Sequence, residues 1–153
     1  MVDIPQAERL KRTYGRIACA TRGGEASRAT EDAAMALARQ HGAELIFLYV
    51  VDVSFAHGHS GKFPIEVVED EVRGIGEIIL QQAKQRAKEQ GVTARGEIRK
   101  GRLAEEIESF VESHRNLDVL VVGHMSTELR QHLEPVLQKM RERQLDVIVV
   151  APH

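Results

Sequence analysis

The 153-residue sequence holds one cysteine, four prolines, no tryptophan and only 4% aromatic residues. A single thiol excludes an internal disulfide, and the apolar neighbours of Cys19 read as a buried, reduced side chain. No cysteine pair and no His-Glu-x-x-His spacing is present to build a zinc site. His57 and His59, with Asp52 and His124 as distant companions, fall short of a ligand set, so no metal is expected. No apolar run reaches membrane-spanning length, and the charged stretch 1–14 lacks the apolar centre of a signal peptide. The expectation is a cytoplasmic protein with no membrane partner. Neither sign of charge dominates: 21 basic against 23 acidic residues leave a formal net charge of −2, with no basic surplus for nucleic acid.

What is present is a chain of one domain's length, divided here into an N-terminal extension, 1–15, and an α/β domain, 16–153. Short apolar runs at Ile17–Thr21, Leu45–Val51, Val119–Val122 and Val147–Val150 have the composition of strands covered on both faces. Val92–Arg99 alternates apolar and charged residues, which predicts a half-exposed strand at a sheet edge. Helical spacing fills the gaps. Glu25–His41 places Ala29, Ala33, Ala36 and Leu37 on one face, with Gly42 as its stop. Pro64–Gln90 places Val68, Val72, Ile75, Ile79 and Ala83 on another, and Gly74 and Gly76 predict a bend. Leu103–His114 and Thr127–Arg143 follow, the last expected to kink or break at Pro135.

Strands alternating with helices predict one open, parallel, five-stranded sheet in the order 3-2-1-4-5, with helices on both faces. The switch point then lies between strands one and four, and a ligand crevice opens beside Thr21, Arg22, Gly23 and Gly24 on one side and Gly123, His124 and Ser126 on the other. Gly123 begins a phosphate-type loop, but Ser126 stands where a second glycine would help, and no glycine occurs in 127–153. Arg22 with its two glycines, and Lys100 and Arg102 around Gly101, are candidate anion contacts. Ser126 and His124 form the one local nucleophile–base pair; two residues apart in a loop they make a poor catalytic geometry, and helix capping suits Ser126 or Thr127 better. The acidic run Glu69–Glu71 reads as a solvated helix face.

Several segments in this order resemble the universal stress protein family: Arg16-Ile-Ala-Cys-Ala-Thr-Arg-Gly-Gly-Glu-Ala-Ser27, His41-Gly-Ala-Glu-Leu-Ile-Phe-Leu-Tyr-Val-Val-Asp52, Gly91-Val-Thr-Ala94, Lys100-Gly-Arg-Leu-Ala-Glu-Glu-Ile107, Leu117-Asp-Val-Leu-Val-Val-Gly123 and Asp146-Val-Ile-Val-Val-Ala-Pro152. The resemblance implies a Rossmann-like, adenine nucleotide alpha hydrolase-like domain, homodimeric and cytoplasmic, acting in stress responses. It also implies ATP binding in some members and not in others. ATP-binding members resemble one another at an acidic residue after strand one and at a Gly-x2-Gly-x9-Gly-Ser/Thr pattern after strand four. Here the first position is Arg22, and the pattern reads Gly123, Ser126, Val136 and Leu137, with one match in four. The adenine side of the site that the resemblance implies departs less, with Val51 and Asp52 still at the end of strand two.

The expectation is therefore a regulatory binding module, not an enzyme, without family-style ATP binding and with no cofactor required. The alternatives are a sensor of ATP, AMP or another small phosphorylated ligand in the crevice, and, with least support, a weak nucleotide hydrolase. Val147 and Val149, on an apolar strand placed at the sheet edge, are expected to pair with a second copy, and other protein partners fit the same reading.

Overall fold

A computed structural model describes residues 13–53, 64–124 and 127–151. Nine elements alternate along it: β1 (Arg16–Ala20), α1 (Gly24–His41), β2 (Glu44–Val51), α2 (Ile65–Glu89), β3 (Ala94–Lys100), α3 (Leu103–Ser113), β4 (Val119–Gly123), α4 (Thr127–Glu142) and β5 (Asp146–Val150). The strands form one parallel sheet in the order β3-β2-β1-β4-β5, as the alternation predicts. The histidines at 57 and 59, Ser126 and the first twelve residues lie outside the described residues.

The inner strands are apolar on both sides because each side has its own core. Successive residues point to opposite faces. Ile17, Cys19, Leu45, Phe47, Val119 and Val121 pack with Met35, Ala38, Leu80 and Ala83 of α1 and α2. Ala18, Ile46, Leu48, Leu120, Val122 and Val147 pack with Ile107, Phe110, Leu133 and Leu137 of α3 and α4. Burial, and after it the nearby Glu31, push the Cys19 thiol far above its ordinary range, with Arg86 opposing, so the thiol is held protonated. Edge strand β3 carries Arg95, Glu97 and Arg99; Glu97 accepts from Arg99 Nε at 2.7 Å, and Arg99 reaches on to Ser109 and Ser113 of α3. Charge along that edge discourages pairing with another sheet.

Tyr14, on the extension side of the boundary drawn from sequence, belongs to the core: it is 2% exposed and donates its hydroxyl to Asp146 Oδ2 at 2.6 Å. Asp118 Oδ2 accepts from the N–H groups of Gly15 and Arg16, fixing the entry to β1.

The helices correct the sequence reading in three places. On α1 the buried set is Ser27, Ala29, Thr30, Glu31, Ala34, Met35 and Ala38, whereas Ala36 is exposed and Ala33 and Leu37 are half-buried. Alanine suits either face, so it gave no direction. On α2, Val68, Val72 and Ile79 pack half-buried against the core as the spacing predicts, whereas Ile75 is exposed at 53%. The fully buried positions are Gly76, Leu80, Ala83 and Ala87. Helix α2 runs unbroken through both glycines, and Gly76 serves close approach: an added Cβ would lie 2.4 Å from Tyr49 Cδ2. Helix α4 likewise continues through Pro135, which lies on its exposed face, where water can serve the carbonyl that loses a donor.

Two glycines two residues apart therefore have opposite roles. Gly74 has nothing within 4 Å of an added Cβ. Gly74→Ala is expected to raise stability by up to about 1 kcal/mol through helix propensity, and Gly76→Ala to lower it by about 1–3 kcal/mol through overpacking. Thermal and urea unfolding of the two variants reads the difference; equal shifts would contradict the packing of Tyr49 on α2.

Candidate functional site

The chain leaves β1 toward β2 on one side, and β4 lies on the other, so the carboxyl ends of β1 and β4 part at the switch point. A cleft of about 610 Å³ opens there. It brings together Thr21, Arg22, Gly23, Asp52, Gly123 and His124. The other sequence candidates fall elsewhere. Val51 is buried in the core at 1% exposure, and Gly24 lines a neighbouring groove between α1 and α2. Lys100 pairs with Glu69 of α2 at 2.8 Å, and Arg102 is exposed at the start of α3; neither lines the cleft. Val147 and Val149 turn their side chains into the core beside α4, at 0% and 5% exposure. Among the lining residues that the structure adds are Ser27, Thr30 and Tyr49, which sequence spacing did not single out.

The β1–α1 loop is closed on itself. Arg22 N–H donates to Ser27 Oγ at 3.0 Å, and Gly23 N–H donates to Thr21 Oγ1 at 3.1 Å. Thr21 passes its own hydroxyl hydrogen to Glu31 Oε2. Glu31, 5% exposed, accepts at its other oxygen from Arg86 Nη1 at 2.6 Å, and Arg86 also binds Asp32. A buried carboxylate must be matched by donors, and here they come from β1, through Thr21, and from α2, through Arg86. Two backbone donors of the kind that cradle phosphate are thereby engaged inside the protein.

On the other lip, Gly123 is glycine for a packing reason: an added Cβ would lie 2.7 Å from Thr30 Oγ1. His124 N–H donates to the Val150 carbonyl at 2.9 Å, which ties this lip to β5. Asp52 Oδ2 accepts from the Leu103 N–H at 2.9 Å, so it caps α3 from the end of β2. Among the described residues no three His, Cys, Asp or Glu side chains gather as metal ligands. No helix among them is long and apolar enough to cross a membrane.

A second cleft of about 560 Å³ lies at the opposite end of the sheet, between 111–117 and 143–145. The carboxyl ends of α3 and α4 converge there, so Arg115 and Arg143 complement helix carbonyl ends that repel anions.

The Glu31–Arg86 pair joins elements 55 residues apart. Arg86→Met is expected to destabilise the fold by about 2–4 kcal/mol, the cost of leaving a buried carboxylate short of a partner. Asp32→Asn, on the exposed side of the same guanidinium, is expected to cost less than about 1 kcal/mol. Chemical denaturation of both variants checks the ranking, and a reversed order would contradict it.

The family model described as the universal stress protein family matches residues 13–150. A universal stress protein of Methanocaldococcus jannaschii is 31% identical over 110 residues, which are 72% of this chain; the match spans 64% of that relative's length. Among solved structures, a universal stress family protein from Burkholderia pseudomallei superposes with a TM-score of 0.72 at 24% identity, covering 92% of this chain and 97% of that one. A universal stress protein in complex with cAMP gives 0.67 at 24% identity, over 93% and 100%. One from Archaeoglobus fulgidus in complex with dAMP gives 0.62 at 15%, over 91% and 99%. These likenesses extend over the whole sheet and its helices. The chain belongs to the universal stress protein family.

Proposed function

We propose that this protein is a regulatory binding module that does not grip ATP in the manner implied by the family's glycine pattern. The observation that carries the reading is the self-closed β1–α1 loop, whose Arg22 and Gly23 N–H groups already have acceptors in Ser27 and Thr21. Arg22 replaces a carboxylate with a group that accepts no hydrogen bond from a nucleoside. Val136 and Leu137, at the last two positions of the glycine pattern, add bulk and remove a hydroxyl. A charge-assisted hydrogen bond to a phosphate contributes about 1.5–3 kcal/mol, so a site without several of them binds a triphosphate more weakly by orders of magnitude. The protein acts by occupancy and association: the one hydroxyl beside a carboxylate at the cleft, Thr21 on Glu31, is tied into the buried Glu31–Arg86 pair, which favours binding over nucleotide hydrolysis.

A second reading concerns the occupant. The cleft survives at about 610 Å³, and family proteins of the same fold have been solved with cAMP and dAMP. A mononucleotide such as AMP needs no triphosphate cradle, so a sensor of a small phosphorylated ligand fits the same geometry.

Association is the other half of the proposal. Strand β5 closes the sheet order, and Val147 and Val149 have their side chains inward. Pairing with a second copy would therefore run along the strand backbone, with the half-buried Ile148 and Val150 on the opposite face.

Titration calorimetry of the full chain with ATP and Mg2+ is expected to show no saturable binding below about 1 mM, an affinity weaker than about −4 kcal/mol; a micromolar, saturable isotherm would overturn the reading. Sedimentation velocity at micromolar concentration is expected to show a dimer. A monomer throughout that range would remove β5 as an association edge.

A further inference from the structure

We propose that Arg22 and Tyr49 together recognise a phosphoryl group, so that the cleft distinguishes a phosphorylated nucleoside from the bare nucleoside. This rests on the mononucleotide reading of the cleft and adds the group by which the ligand is selected.

The cleft walls carry few charges, and they are differently occupied. Asp52 is the α3 cap. Arg22 is exposed at the rim, and its guanidinium makes no ion pair or hydrogen bond with another described residue. The nearby backbone donors of Arg22 and Gly23 are engaged by Ser27 and Thr21, so an anion entering here must be met by side chains.

Tyr49 supplies the second donor. The residue is 9% exposed, its ring is held against Gly76, and it lines the same cleft as Arg22. Its hydroxyl makes no hydrogen bond to another described residue. A phenol hydroxyl at a cleft wall, free of partners among the described residues, can donate to a ligand oxygen there. Burial raises the Tyr49 pKa, and the positive charge of Arg22 works against that rise, so the phenol stays a donor at neutral pH and feels the guanidinium across the cleft.

Chemistry selects the ligand group. A guanidinium offers two parallel N–H donors and the phenol a third, which suits three phosphoryl oxygens better than the two of a carboxylate. Val72 and Leu103, on the same walls, give the nucleoside an apolar surface. The charge at this rim is thus opposite to that of the ATP-binding pattern: the position that would address a nucleoside with a carboxylate here addresses an anion.

Titration calorimetry of the full chain with AMP and with adenosine tests the pair. Wild type is expected to bind AMP at least about tenfold more tightly than adenosine. Arg22→Gln is expected to bring AMP down to the adenosine level while adenosine is unaffected, with Arg22→Lys intermediate. Tyr49→Phe, which keeps the ring against Gly76, is expected to lower AMP affinity about three- to tenfold and adenosine affinity little. An AMP preference that survives in Arg22→Gln overturns the inference and leaves the mononucleotide reading standing. Failure of wild type to bind either ligand at millimolar concentration overturns both.

Discussion

Glu31 is a carboxylate held at 5% exposure beneath the carboxyl end of β1, and such a group persists only if donors surround it. Thr21 and Arg86 are those donors, one from the end of β1 and one from α2. Their positions propagate outward. Thr21, turned toward Glu31, presents its oxygen to the Gly23 N–H, and Ser27 one turn before Glu31 takes the Arg22 N–H. One buried group therefore fixes the relative seating of β1, α1 and α2 and the conformation of the loop that forms the cleft floor.

Function follows from where the polar groups point. A sheet of this topology opens a crevice at its switch point whatever lines it. Here the lining has been turned inward: the loop donors serve Ser27 of α1 and Thr21 of the loop itself, Asp52 serves the start of α3, and Gly123 makes room for Thr30. Beside Asp52 and His124, the cleft is lined by Arg22, Tyr49 and an apolar wall. The proposed function rests on that lining: it reads one anionic group on a compact ligand in place of a backbone clasp around three phosphates.

The sheet was legible because its signals are local. Apolar runs such as Leu45–Val51 announce strands buried on both faces, and the alternation through Arg95, Glu97 and Arg99 announces an edge. The crevice was legible from topology alone, which is why Thr21, Arg22, Gly23, Asp52, Gly123 and His124 come together. The helix faces were not. Ser27 and Glu31 look like surface residues and are buried because hydrogen bonds and an ion pair satisfy them, and Thr30 is buried against Gly123. Arg86 lies 55 residues from its partner, so no spacing rule connects them. Gly76 and Gly123 looked like a helix weakness and a phosphate contact, and both prove to be clearances for Tyr49 and Thr30. Tyr49, inside an apolar strand, carried no mark of a hydroxyl that lines the cleft with no partner among the described residues.

The Arg22 and Gly23 amides already have partners inside the protein, and amide hydrogen exchange by NMR reads those two groups directly. Both amides are expected to exchange more slowly than in an unstructured chain in the ligand-free protein, and at an unchanged rate when ATP and Mg2+ are added. Exchange at the unprotected rate, followed by protection on adding the nucleotide, would mean that the loop offers its donors to a phosphate and would contradict that expectation.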